Sequence, residues 1–83
     1  MKLILYQFES CPYCQIVREA IERLKVPDVE VRDILDKPEY RDELIKMNGT
    51  RQVPCLVIDG KPMLESADIV QFLERTFGRA SKA

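Results

Sequence analysis

Histidine is missing from this chain of 83 residues, and only three of its residues are cysteine. A tetrahedral zinc shell needs four ligands, and a single Cys-x-x-Cys with Cys55 elsewhere does not provide them. Nor do three cysteines make the even, spread-out framework of a disulfide-stapled secreted domain. Long apolar runs are also lacking. The N-terminal Met1-Lys2-Leu3-Ile4-Leu5-Tyr6 is far too short to span a bilayer and has no small-residue cleavage site, so a cytoplasmic protein without membrane attachment is expected. Neither charge forms a block: 13 basic and 14 acidic residues are interspersed, with a net charge of −1, which leaves no basic surface for nucleic acid. No repeat, low-complexity tract or Gly/Ser linker divides the chain.

What is present suits one small core, with 46% hydrophobic and 33% charged residues. Leu3 to Phe8 has the apolar and aromatic character of a buried strand. Glu9-Ser10-Cys11-Pro12 ends it and opens a helix with proline in its first turn. Val17, Ala20, Ile21 and Leu24 recur at i, i+3, i+4 and i+7, which predicts a helix over residues 13–25, halted by Pro27. Val29 to Ile34 alternates as a second strand, placed parallel to the first by the helical crossover in a right-handed βαβ unit.

Asp36 is the expected cap of a second helix, with Pro38 in its first turn, Leu44, Ile45 and Met47 as its apolar contacts, and Asn48-Gly49 as a left-handed stop. Cys55 to Ile58 reads as a short buried strand. Asp59-Gly60 is a two-residue hairpin signal that returns Lys61 to Leu64 antiparallel. Ser66 is the expected cap of a last helix, in which Ile69, Phe72, Leu73 and Phe77 face the sheet and Gly78 closes the pattern. The order β-α-β-α-β-β-α gives a thioredoxin-like α/β outline, a four-stranded mixed sheet flanked by three helices. Residues 1–78 form the domain and 79–83 a frayed tail.

Chemistry concentrates at Cys11-Pro12-Tyr13-Cys14. Between a strand and a helix N-terminus, unpaired amides and the helix dipole favour a thiolate, so Cys11 is the candidate nucleophile. Cys14, one turn on, is placed to attack a mixed disulfide on Cys11 and to be the more buried of the two. Two cysteines used only as small core residues leave unexplained why both sit at a polar, proline-marked helix start. Cys55 has two readings, a small buried hydrophobe or a regulatory thiol near the site. Tyr13 also has two, packing on a substrate or packing at the helix start.

Together with Thr50-Arg51-Gln52-Val53-Pro54, the Cys11-Pro12-Tyr13-Cys14 motif resembles the dithiol glutaredoxins, and the resemblance runs from Leu3 to Phe77. It implies a glutaredoxin fold, with Pro54 cis against the active cysteine and the Val53 backbone paired with the cysteinyl part of glutathione. Glu65-Ser66-Ala67-Asp68 departs from the Gly-rich acidic segment of that family and is similar to the Glu-Ser motif of the glutathione transferase N-terminal domain. By that likeness, Ser66 and the helix amides receive the γ-glutamyl carboxylate, and Glu65 accepts from its ammonium group. The plain alternative is a capping serine beside a solvated carboxylate.

A second departure is Phe8, where dithiol glutaredoxins usually carry a lysine. Arg51 is either a source of the missing positive charge or a surface arginine. The resemblance implies a monomeric enzyme with no tightly bound cofactor. Glutathione would be its cosubstrate, and disulfide-bonded or glutathionylated proteins its partners. The contrasting readings are a non-enzymatic glutathione-binding adaptor and an iron-sulfur carrier, the second disfavoured by Pro12.

Overall fold

The computed structural model describes residues 1–82, and the side chains of residues 1–78. The elements are β1 (Leu3–Gln7), α1 (Pro12–Arg23), β2 (Val29–Asp33), α2 (Pro38–Asn48), β3 (Cys55–Ile58), β4 (Lys61–Met63) and α3 (Ser66–Lys82). The sheet order is β2-β1-β3-β4. β1 and β2 are parallel, with Leu3 opposite Val29. β3 is antiparallel to both β1 and β4, with Leu5 opposite Leu56 and Val57 opposite Pro62. Pro62 is tolerated because β4 is an edge strand, where a missing N–H breaks no inner ladder.

Alternation along the strands divides the core. Leu3, Leu5 and Leu56 meet Val17, Ala20 and Leu24 of the α1 segment and Ile69 and Leu73 of α3 on one face. Tyr6, Cys55 and Val57 meet Ile34, just after β2, and Leu44 of α2 on the other. The 3.6-residue stripe read from α1 is therefore the face that buries against the sheet. Asp59 and Gly60 both have positive φ, 48° and 87°, the backbone of a primed two-residue hairpin turn.

Four local details differ from the sequence reading. α1 ends at Arg23 rather than being halted by Pro27, because Lys25 adopts φ 53° while its N–H donates to the Glu22 carbonyl and that of Val26 to the Ile21 carbonyl. That is a Schellman stop with lysine in the position glycine usually fills. α2 is capped by Lys37, not Asp36, and no side chain caps it. Asp33 Oδ1 instead accepts from the N–H groups of Leu35 (2.8 Å) and Asp36 (3.3 Å), which turns the chain before the helix starts.

Ser66 is the first residue of α3 and not its cap. The Glu65 carbonyl accepts the first helical bond from Ile69 N–H at 3.0 Å. α3 also continues through Gly78 to Lys82, since Gly78 lies in an amphipathic run and lacks the left-handed φ of a stop. The frayed tail expected over residues 79–83 falls on side chains, and at Ala83 on backbone, outside the described residues. Among the described residues, no helix is long and apolar enough to cross a membrane.

Candidate active site

β1 leads straight into α1, and Cys11 is the residue at the junction. Its extended backbone (φ −78°, ψ 118°) makes it the N-cap of α1, and its Sγ accepts a hydrogen bond from the Cys14 N–H at 3.3 Å. Sulfur thus takes the place that a serine or aspartate oxygen often holds at a helix start, accepting from an amide that has no intrahelical partner. Pro12 in the first turn has no N–H to leave unpaired and brings a φ suited to the helix.

All three cysteines are free thiols. Cys11 keeps 6% of its surface exposed and Cys14 none. Burial pushes the Cys14 thiol up to about 12, with the Cys11 side chain adding to the shift, so Cys14 stays protonated at neutral pH. The two positions are unequal, with an N-capping sulfur first and a buried thiol one turn behind it.

Cys55 sits in the α2-side core, fully buried, with Asn48 Nδ2 donating to its sulfur at 3.5 Å. Burial raises its pKa, an effect opposite to activation. The geometry is that of a core residue.

Tyr13, Val53, Pro54, Glu65 and Ser66 come together around one cleft of about 390 Å³, with Gln52 as a further wall. The Val53–Pro54 bond is cis, as the resemblance implies. Tyr13, two residues after Cys11, is 62% exposed, so its ring is not used in helix-start packing. Arg51 is not brought into this cleft. It lines a neighbouring depression with Arg41, Asp42, Ile45, Gly49 and Thr50, because the chain leaving α2 turns it toward that helix.

Glu65 is held at φ 70°, a left-handed conformation that costs a non-glycine residue about 1–2 kcal/mol. Its carboxylate accepts from Gln52 Nε2 at 3.3 Å. Gln52 is therefore a site residue to which the sequence reading gave no role, although its place beside Val53-Pro54 was the available signal. Phe8 packs on the α2-side core, and its carbonyl accepts from Cys11 N–H at 3.2 Å. The position where a lysine would stand is filled by apolar packing. Among the described residues, no three His, Cys, Asp or Glu side chains converge to hold a metal ion.

A βαβ unit followed by ββα, with a cysteine capping the first helix and a cis-proline beside the cleft, defines a thioredoxin-like domain. The glutathione S-transferase N-terminal domain model matches residues 5–81, and the chain belongs to that family. It is 34% identical over 80 residues to glutathione S-transferase 1 of Manduca sexta, covering 94% of this chain and 37% of that protein. It is 31% identical over 77 residues to prostaglandin E synthase 2 of Danio rerio, covering 93% and 19%. Among solved structures, the Drosophila melanogaster glutathione S-transferase isozyme E7 superposes with a TM-score of 0.74 at 31% identity, covering 93% of this chain and 35% of that one. The chain thus spans about a fifth to somewhat over a third of the length of these relatives.

Proposed function

We propose that this domain is a glutathione-dependent thiol-disulfide oxidoreductase of glutaredoxin type, with Cys11 as nucleophile and Cys14 as resolving thiol. The observation that carries the reading is the pairing of an N-capping Cys11 sulfur with a fully buried Cys14 one turn behind it. A site that only bound glutathione would have no use for the second thiol.

The Cys11 thiolate attacks the glutathionyl sulfur of a protein mixed disulfide. One S–S bond breaks, the protein leaves as thiolate, and a Cys11–glutathione disulfide forms. A glutathione thiolate then attacks the glutathionyl sulfur, releasing oxidised glutathione and restoring Cys11. Glutathione supplies both electrons. On a protein disulfide, Cys11 attacks one sulfur and the other leaves as a thiolate; Cys14 then attacks Cys11, closing the Cys11–Cys14 disulfide while its proton passes to the departing substrate thiolate.

Within the cleft, the Val53 backbone beside Pro54 pairs with the cysteinyl part of glutathione, and the α3 amides with Ser66 receive the γ-glutamyl carboxylate. Glu65, oriented by Gln52, takes the ammonium group. Tyr13 forms the exposed wall on which substrate packs.

The family match favours a second reading, in which the domain is the glutathione-binding part of a transferase or adaptor. Turnover of a glutathionylated peptide separates the two. The oxidoreductase reading expects turnover that requires glutathione, is abolished in Cys11→Ser and largely persists in Cys14→Ser, because a second glutathione can resolve the intermediate. Glutathione binding without turnover in the native protein favours the transferase-like reading.

A further inference from the structure

We propose that Arg18 is a positioning residue for Cys11, its guanidinium fixing the β1–α1 loop so that the Cys11 sulfur stays on the Cys14 amide. The inference rests on the oxidoreductase reading for its kinetic part and on geometry alone for its structural part.

Arg18 reaches back from the second turn of α1 to three consecutive residues. Nη1 donates to Gln7 Oε1 and to the Phe8 carbonyl (3.4 Å), and Nη2 donates to the Glu9 carbonyl (3.2 Å). Gln7 is the buried polar residue at the end of β1, 3% exposed, and a buried amide oxygen needs a donor. Arg18 supplies it. The same Phe8 carbonyl accepts from Cys11 N–H, so the guanidinium and the nucleophile's own backbone meet on one oxygen. The loop is thus held from Gln7 to Glu9 before it delivers Cys11.

A planar fork spreads its donors over separate nitrogens in fixed directions and so spans a side-chain oxygen and two carbonyls along the loop, whereas an ammonium concentrates its three donors on one freely rotating nitrogen. The guanidinium also acts electrostatically on Cys14, favouring its charged form against the larger effect of burial. A solvated helix arginine would show none of these contacts. Arg23, on the same helix, is that case: its side chain is 57% exposed and, among the described residues, pairs with Glu74 across to α3.

Arg18→Met, Arg18→Lys and the control Arg23→Met test the proposal in the intact chain by two readouts, amide hydrogen exchange and steady-state turnover. In Arg18→Met the Cys14 amide should exchange at least about tenfold faster while Val17 and Ala20 amides in the same helix keep their protection. The turnover number on a glutathionylated peptide should fall about tenfold with the KM for glutathione within about twofold, since binding residues are untouched. Arg18→Lys should lie between, and Arg23→Met should move neither readout.

If Arg18→Met does not fold, Arg18→Lys decides by the same two measures. A folded Arg18 variant whose Cys14 amide exchange matches the native protein overturns the proposal. Uniform loss of protection along α1 overturns it equally, by showing a general packing role. Absence of turnover in the native protein defeats the oxidoreductase reading instead, and the exchange data then decide the structural claim alone.

Discussion

The buried thiol of Cys14 should make the reduced protein lose stability in mild alkali. Cys14 keeps its proton in the folded state up to about 12, whereas a thiol in the unfolded chain releases it near the ordinary value of about 8.5. Between those values folding takes up a proton, so stability is fully present below about pH 8 and declines as pH rises. The slope for one such group approaches about 1.4 kcal/mol per pH unit above the unfolded value, which integrates to about 1.6 kcal/mol between pH 8.5 and 10. Cys55 is shifted up by burial as well and adds a loss of the same sign.

Urea unfolding in a phosphine reductant, across that pH range, measures this for the native protein and for Cys14→Ala and Cys55→Ala. Each variant should show a shallower decline than the native chain, whatever its stability at neutral pH. Parallel curves for native and Cys14→Ala would refute the reasoning, because the thiol would then titrate alike in both states.

Other substitutions probe the core and the cleft. Leu73→Ala removes a fully buried side chain of α3 from the α1-side core and should cost about 2–5 kcal/mol in urea unfolding without changing the cooperativity of the transition. Glu65→Gln deletes the charge held beside the cleft and should raise the KM for glutathione about tenfold while leaving the turnover number nearly constant.

The architecture was legible because hydrophobic spacing and turn chemistry point the same way. The α1 stripe and the Asp59-Gly60 turn each specify one arrangement, and the structure adopts both. The helix ends were less so, since they depend on alternatives of similar energy. Asp33 uses its carboxylate on a turn, which leaves Asp36 no capping role, and Lys25 takes a left-handed stop that favours glycine without requiring it. Glu65 capping α3 in place of Ser66 is the same kind of difference, and no propensity scale marks a glutamate at φ 70°.

At the site, the cysteine pair stood out from its place between a strand and a helix, whereas Val53, Pro54, Glu65 and Ser66 were reached through the likeness to known families, and the structure gathers those four with Tyr13 around one cleft. Arg51 could not be placed, since its direction depends on how the chain leaves α2. Arg18 and Gln7 were invisible for a related reason. They lie 11 residues apart and become partners only once α1 packs back along β1. A polar residue ending an apolar strand was the hint, because burial there demands a donor.

The measurement that tests the central claim most directly is mass spectrometry of the Cys14→Ser variant, quenched with acid during turnover of a glutathionylated peptide. Without the resolving thiol, the account predicts one glutathionyl group on the tryptic peptide that carries Cys11, formed when substrate is added and removed when glutathione follows. A variant that stays unmodified while it binds glutathione, or one that carries the group on Cys55, would contradict Cys11 as the nucleophile.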